Sequence, residues 1–292
     1  MSNKHFSLNL SAGFASVAVA MALVLMKLWA FSETGALSIA ASLADSAMDM
    51  MVSGLGLFAI FYAARPADDD HAFGHSSVED LISLAQALFI ALSASAIGLA
   101  AIKRLLTPSA PALQAHQSGI TVMIASILLT GALVAWQRHV AKRTRNKVIA
   151  ADSLHYVGDL MPALGAILAL GLSARFDITW VDSVIALIGV AVMLGGAMKI
   201  GIASWHALMD RQADTEIIRG IETIALNWPG VHGFHDLKTR TAGSKVFVHL
   251  HIELDGDQTL REAHEIGAAL KAAIRLAYPQ TDVIIHKDVA DL

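Results

Sequence analysis

The chain begins with long, nearly uninterrupted apolar stretches and changes, after about residue 207, to alternating apolar and polar positions. Each apolar stretch reaches the roughly 20 residues that an α-helix needs to cross a bilayer. Alanine and glycine are frequent within them, as is typical of membrane helices that pack closely. The pattern predicts six membrane-spanning helices, near residues 9–31, 37–63, 79–103, 113–137, 147–173 and 179–205.

The remaining residues have the pattern of a small water-exposed domain. Helical periodicity and strand alternation predict an α-β-β-α-β order, with helices at 214–227 and 259–278 and strands at 234–241, 245–254 and 283–286. This order indicates a two-layer α+β domain of the ferredoxin or metallochaperone type. The predicted fold is therefore a six-helix all-α transmembrane domain, residues 1–208, followed by an α+β domain, residues 209–292.

Composition supports a membrane protein and narrows the chemistry. The chain is 55% hydrophobic and 16% charged, whereas ordinary soluble domains are about 25% charged. The net charge of −4 gives no reason to expect a nucleic-acid partner. Cysteine is absent from the sequence, so a metal would have to be held by His, Asp and Glu. The N-terminal run has no short apolar region followed by a clear A-x-A cleavage site, and it is expected to be the first spanning helix, not a removed signal peptide.

Basic residues predict the orientation in the membrane. The predicted loop at 137–147 is rich in them: Arg138, Lys142, Arg143, Arg145 and Lys147. Because short basic loops stay in the cytoplasm, this loop, the loop at 64–80 and both termini are expected to be cytoplasmic. Lys103 and Arg104 in the third loop favour the opposite orientation but are fewer.

Two pairs of polar residues interrupt the apolar stretches at helical spacing. Asp45 and Asp49 lie four residues apart in the second predicted span, and His155 and Asp159 repeat that spacing in the fifth. Each pair would share one helix face. An ionisable group at membrane depth costs roughly 2.5 kcal/mol or more and indicates function. Carboxylate and imidazole ligands suit a divalent metal such as zinc, although isolated polar residues that face a water-filled cavity are the alternative.

A second cluster lies in the predicted loop after the second span. Asp68, Asp69, Asp70, His71 and His75 fall within eight positions. The H-x-x-x-H spacing with preceding carboxylates can wrap a divalent ion. A solvated acidic loop is the alternative interpretation.

The C-terminal domain is rich in histidine, with His232, His235, His249, His251, His264 and His286. His249 and His251 share one face of a predicted strand, and Asp288 shares a face with His286. Any one of these would more often be a surface or hydrogen-bonded histidine. Six within such a short segment favour a metal site.

Several motifs together resemble the cation diffusion facilitator family, in particular its bacterial YiiP/FieF-like branch. They are S-L-A-D-S-A-M-D, A-D-D-D-H-A-F-G-H, A-D-S-L-H-Y-V-G-D, L-M-D-R, H-D-L-K-T-R and V-I-I-H-K-D, and they extend over nearly the whole chain. The resemblance implies a homodimer in a bacterial inner membrane, with six spanning helices and a cytoplasmic metal-binding domain in each subunit.

The resemblance also implies three kinds of metal site. The transport site would consist of Asp45, Asp49, His155 and Asp159, and the loop site of Asp68, His71 and His75. A paired-metal site in the cytoplasmic domain would consist of His232, His251, His264, His286 and Asp288, with Asp288 bridging two ions. Leu154 matches a hydrophobic gate position. His235 would be a supporting group outside the ligand set, and His249 matches no ligand.

One position departs from the family pattern. Relatives often carry a lysine after the G-H of the loop motif, which pairs with an aspartate at the start of the cytoplasmic domain. Here Ser76 and Ser77 stand in that place while Asp210 is present. The charge lock between subunits is therefore expected to be absent or rebuilt.

The sequence as a whole indicates a proton-coupled antiporter that exports a divalent metal, with zinc as leading substrate and as regulatory ligand. Iron, cadmium, manganese and cobalt remain open as substrates, and a membrane metal receptor that moves no ions is the competing class. The sequence has no nucleophile elbow, P-loop or H-E-x-x-H motif, which disfavours a membrane enzyme and an ATP-driven pump.

Overall fold

The computed structural model describes residues 3–34, 37–106, 117–176 and 181–290. Contacts divide the chain into a helical unit, Ser7–Ser204, and a second unit that runs from Trp205 onward and includes the first residues of the chain. The helical unit follows the apolar stretches of the sequence, and the second unit contains the predicted mixed domain.

Long helices form along the apolar stretches, so the predicted all-α membrane domain is confirmed. Their bounds are α1 Asn3–Thr34, α2 Leu37–Ala63, α3 Val78–Leu106, α4 Gln117–Thr144, α5 Lys147–Phe176 and α6 Val181–Leu208. Among the described residues, five of these helices contain a segment long and apolar enough to cross a membrane: α1, α2, α3, α4 and α6. Side chains at 162–182, and with them much of the predicted fifth span, lie outside the described residues, as does the predicted start of the fourth span at 113–116.

The helical unit buries several polar side chains among its apolar ones and exposes many large apolar side chains. Ser16, Ser53 and Gln137 are buried, whereas large apolar side chains such as Leu92 and Leu99 are exposed. A bilayer offers no hydrogen bonds, so helices that satisfy their own backbone and turn polar side chains toward one another are the stable arrangement there.

The predicted basic loop at 137–147 is largely helical, which corrects the sequence interpretation. Helix α4 continues to Thr144 and α5 begins at Lys147, so only two residues connect them. Arg145 has a φ of +55°, and the Asn146 side chain caps α5 by accepting a hydrogen bond from the N–H of Ile149 at 3.1 Å. The apolar pattern ends before the helix does, because Gln, Ala, Arg and Lys are good helix formers.

The C-terminal part has the predicted order of elements, and its α+β class is confirmed. The elements are α7 Thr215–Leu226, β1 Gly233–Ala242, β2 Lys245–Leu254, α8 Leu260–Ala277 and β3 Thr281–Val289. The sheet order is β1-β2-β3, with β1 antiparallel and β3 parallel to β2. Helix α8 is the crossover that the parallel pair requires. Strand β3 is longer than predicted because its pairing with β2 continues from Thr281 to Val289.

One face of the sheet is covered by the two helices. Buried Val248, Leu250 and Ile252 on β2 pack with Leu270 and Ile274 of α8 in a continuous core. Helix α8 starts with a capping box, in which Thr259 accepts from the N–H of Glu262 and the Glu262 carboxylate accepts from the N–H of Thr259. Those hydrogen bonds lower the pKa of Glu262. The polar residues of β2 lie on the opposite face of the sheet, where the histidines are.

Candidate metal centres

Three of the four residues predicted for the transport site meet between α2 and α5. The Nε2 atom of His155 lies 2.9 Å from Oδ1 of Asp49 and 3.9 Å from Oδ2 of Asp159. One ligand atom from each residue lies within 4.8 Å of the others. His155 is buried and the two carboxylates are more accessible. The i, i+4 spacing on α5 places His155 and Asp159 on one face, and α2 supplies the third ligand.

Asp45 is exposed and lies outside this cluster in the structure. It is one helical turn before Asp49 on α2, so it remains on the same side of that helix. Lys27 of α1 lies nearby, with its Nζ donating to Oγ of Ser46 at 2.7 Å. Lys27 interacts electrostatically with the carboxylates of the site. These contacts of Lys27 cannot be read from the sequence, because it does not reveal how α1 packs on α2.

Leu154, the predicted gate residue, packs closely against α6. A Cβ atom on Gly196 would lie 2.6 Å from Cδ2 of Leu154, so any larger residue there would force the Leu154 side chain to shift. Leu154 also packs against the buried cluster that includes Ile90 and Met193. Because Leu154 directly precedes His155, an apolar contact between α5 and α6 adjoins the candidate site.

The predicted loop site is assembled from local geometry. Asp68 Oδ1 accepts a hydrogen bond from the His71 backbone N–H at 2.8 Å and lies 3.1 Å from its Nδ1, while Oδ2 lies 3.2 Å from Nε2 of His75. Gly74, with a φ of +81°, turns the chain between the two histidines. Desolvation, the largest single influence, raises the pKa of Asp68, but the His71 hydrogen bonds and the His75 ring together lower it. Three ligand atoms therefore face one point, with Asp68 ionised.

Strand pairing aligns three histidines on the open face of the C-terminal sheet. His235 of β1 lies opposite His251 of β2, which lies opposite His286 of β3. Asp288 connects them: its Oδ2 lies 2.8 Å from Nδ1 of His251 and 3.3 Å from Nε2 of His235, and its Oδ1 lies 3.2 Å from Nε2 of His286. The hydrogen bond from His251 is the main cause of a lowered pKa of Asp288. Both oxygens of one carboxylate thus face imidazoles.

The structure places His235 in this cluster and leaves His232 outside it, so His232 as a ligand stays a prediction. From Lys238 to Ala242 the β1–β2 register is regular, and its continuation would put Asp236 opposite His251. A bulge between His235 and Lys238, with Asp236 at a φ of +50°, adds one residue and brings His235 into that place. A shift of one residue turns a side chain to the other face of a strand. His232 precedes β1 and binds Glu253 O through its backbone N–H.

The remaining predicted ligand of this site, His264, lies on α8 and belongs to none of the three metal-type clusters found among the described residues. His249 also belongs to none of these clusters. It is exposed on β2, where it pairs with Lys238 of β1 and with Ile284 of β3. Within one chain, the cluster consists of His235, His251 and Asp288, with His286 in contact with Asp288.

Asp210, which matches the aspartate of the family's charge lock, has a partner within its own chain. Its Oδ1 lies 3.2 Å from Nη1 of Arg240, whose guanidinium lies 4.3 Å from the centroid of the Phe247 ring. This pair could not be predicted from the sequence, because Arg240 lies 30 residues after Asp210 and approaches it only once strand β1 has formed.

Comparison with known proteins gives two family matches. The model described as the cation efflux transmembrane domain matches residues 13–209, and that of the cation efflux protein cytoplasmic domain matches residues 213–289. The chain belongs to the cation diffusion facilitator (cation efflux) family. It is a FieF-like member and a metal efflux transporter.

Similar full-length relatives carry the name cation-efflux pump FieF. That of Pectobacterium atrosepticum is 39% identical over 288 residues, covering 98% of this chain and 95% of the relative. That of Shewanella oneidensis is 40% identical over 274 residues, covering 94% and 92%. Among solved structures, a CzrB transporter chain is 29% identical and covers 27% of this chain and 98% of its own, with a TM-score of 0.26. The metal-bound C-terminal domain of the Thermotoga maritima CzcD transporter is 26% identical, covers 26% and 91%, and has a TM-score of 0.26.

Proposed function

We propose that this transporter exports Zn²⁺ from the cytoplasm in exchange for protons. The observation that carries the proposal is the convergence of Asp49, His155 and Asp159 between α2 and α5. Two carboxylates and an imidazole leave an open position on a four-coordinate zinc ion, which Asp45 would fill by a small movement of the first turns of α2. A site with a free position lets an ion enter and leave, as a transporter needs.

Proton coupling follows from the ligand chemistry. Carboxylates and imidazole bind metal only when they are deprotonated, so protons and metal compete for the same atoms. In the state open to the cytoplasm, Zn²⁺ would bind and protons would leave. In the state open to the other side, protons would displace Zn²⁺. Leu154, packed on Gly196 of α6, would separate the two states as a gate.

Zinc is the leading substrate because the site includes an imidazole. Nitrogen ligands favour Zn²⁺, Cd²⁺, Fe²⁺ and Co²⁺ over Mn²⁺, which prefers an all-oxygen set. The names of the FieF relatives specify a cation and no element. Replacing His155 by Asp would make the set all-oxygen, and we expect this change to raise the rate for Mn²⁺ relative to that for Zn²⁺.

We assign the remaining clusters to metal capture and regulation. Residues 1–208 would form the membrane domain, with both termini and the loop at 64–77 in the cytoplasm of a bacterium whose inner membrane holds the protein. The loop cluster at Asp68 would attract ions to the cytoplasmic opening. Residues 209–292 would form a cytoplasmic metal sensor and dimerise, with Asp288 bridging two ions and His264 completing the site.

The experiment that tests the exchange uses proteoliposomes with an entrapped pH dye and an entrapped zinc dye. We expect an outward-directed proton gradient to drive Zn²⁺ uptake, and a zinc gradient alone to drive proton movement in the opposite direction. Zinc uptake that is independent of the proton gradient would contradict antiport and leave a uniporter. Zinc binding without uptake of any divalent ion would favour a membrane metal receptor.

The sensor role has its own test. His251→Ala should remove the zinc-dependent stimulation of transport while leaving transport itself, because His251 lies in the C-terminal cluster and not among the membrane ligands. The matched control is His249→Ala, two residues away on the same strand and outside the cluster. Equal zinc dependence in both variants would rule out regulation through this site.

A further inference from the structure

A buried polar cluster around Asp152 lies apart from the three metal-type clusters. Asp152 is on α5 and is only 4% exposed. Its carboxylate accepts hydrogen bonds from three other helices: Ser16 of α1, Ser53 of α2 and Gln137 of α4. Placing a carboxylate among apolar helices costs free energy. A carboxylate that accepts hydrogen bonds from three helices therefore indicates a function in the bundle.

The contacts are short and converge on one group. Oδ2 of Asp152 lies 2.5 Å from Oγ of Ser16 and 2.5 Å from Nε2 of Gln137, and Oδ1 lies 3.3 Å from Oγ of Ser53. The donors of these contacts come from three separate helices and meet at one carboxyl group. The cluster therefore holds α5 against α1, α2 and α4 at one level of the bundle.

The hydroxyl groups extend the cluster toward Tyr156. Oγ of Ser53 lies 2.8 Å from Oγ of Ser16 and 2.9 Å from the hydroxyl oxygen of Tyr156. Each hydroxyl has a single hydrogen to donate. Since the hydrogens of Ser16 and Ser53 both point to Asp152, the oxygen of Ser53 can accept from the Tyr156 hydroxyl. All four side chains are then satisfied in one connected arrangement.

The same turns of α2 and α5 carry the transport ligands. Ser53 follows Asp49 by four residues on α2, and Asp152 precedes His155 by three on α5. A helix turns about 100° and rises 1.5 Å per residue, so a hydrogen bond at one turn fixes the rotation and height of the next. The hydrogen bonds of Asp152 thereby determine where His155 meets Asp49.

We propose that Asp152 is a positioning residue for metal transport: it holds α5 in the rotation and height at which His155 and Asp159 face Asp49. The inference rests on the proposed transport site, but it concerns binding geometry and can be measured without flux. Groups that orient metal ligands typically change metal affinity by 10–100-fold when they are removed.

The measurement is zinc binding to full-length protein in which Asp68→Ala and His251→Ala have removed the other two clusters. In this background Asp152→Ala should weaken Zn²⁺ binding by about 10-fold or more and change the ratio of Zn²⁺ to Cd²⁺ affinity, because misplaced ligands no longer favour the smaller ion. In proteoliposomes the same variant should raise KM more than it lowers the maximal rate.

Two further variants separate positioning from folding. Asp152→Asn combined with Gln137→Glu exchanges the amide and the carboxylate, and it should restore most of the affinity lost by Asp152→Asn alone. Ser153→Ala is the matched control, because the buried hydroxyl of Ser153 has no hydrogen-bond partner among the described residues, and it should bind zinc like the parent. If Asp152→Ala does not fold, Ser53→Ala removes one donor and should show a smaller loss in the same direction.

The proposal is overturned if folded Asp152→Ala binds Zn²⁺ and Cd²⁺ with the parent affinities and only its melting temperature falls. It is also overturned if the exchanged pair binds no better than Asp152→Asn alone. A parent protein that binds zinc through Asp49 without transporting it would refute the transport function while leaving these binding comparisons intact.

Discussion

A buried ion pair at the helix ends gives the most direct prediction about stability. Nζ of Lys147, at the start of α5, lies 2.7 Å from Oδ1 of Asp80 in the first turn of α3 and 3.2 Å from the carbonyl oxygen of Ala203 on α6. The Asp80 side chain is 1% exposed and that of Lys147 is 26% exposed. Lys147→Met removes the cation from a carboxylate that water does not reach.

The size of the effect follows from this burial. Removing one member of a buried pair costs about 3–5 kcal/mol, and the partial exposure of Lys147 favours the lower end, about 3 kcal/mol. A loss of that size corresponds to a melting temperature lower by roughly 6–12 °C in a domain of this length. Thermal unfolding of the detergent-purified full-length protein measures it.

Two control variants test whether loss of the Lys147–Asp80 ion pair causes the lower melting temperature. Lys142→Met makes the same change on the exposed end of α4 and should shift the melting temperature little. Asp80→Leu with Lys147→Met replaces both charges by apolar groups and should recover most of the loss. If Lys147→Met melts within about 2 °C of Lys142→Met, the pair contributes little and the reasoning from burial is wrong.

Three further outcomes are expected. Gly196→Ala should slow transport at least several-fold, because its Cβ would overlap Leu154; an unchanged rate would show that the contact is not part of the gate. In the C-terminal domain His235→Ala should weaken metal binding more than His232→Ala, and the reverse order, measured by equilibrium dialysis, would contradict the bulge register. Because the pKa of Asp288 is lowered, its ionised form favours the folded domain above its ordinary pKa. This stabilisation of the folded domain should be lost as the pH falls through the lowered pKa of Asp288, and Asp288→Asn should lack it at every pH. Melting temperatures of the two proteins, measured as a function of pH in the acid range, test this.

Much of the fold and of the candidate sites can be predicted from the spacing of residues that are close in the sequence. Long apolar stretches can only be helices in a bilayer, which is why the membrane domain follows from the sequence. The i, i+4 pairing of His155 and Asp159, and the close spacing of Asp68, His71 and His75, likewise bring ligands together through one helix or one loop. Their assignment as metal ligands remains a prediction.

Features that depend on packing between distant segments are not visible in the sequence. The bulge at Asp236 puts His235, instead of Asp236, opposite His251, and neither propensity nor alternation reveals one extra residue in a strand. The donors of Asp152 come from three helices whose neighbours cannot be read from hydropathy. The extension of α4 through Thr144 could not be predicted from composition, because a charged helix end has the composition of a loop.

The central claim is that the cluster at Asp49 carries metal across the membrane. Initial rates of Zn²⁺ uptake into acid-loaded proteoliposomes, compared for the native chain, Asp49→Ala and Asp69→Ala, test it most directly. Asp69 is an exposed loop carboxylate outside the metal-type clusters, so its substitution controls for the loss of one negative charge. We expect uptake by the native chain and by Asp69→Ala, and none by Asp49→Ala. Undiminished uptake by Asp49→Ala would contradict it.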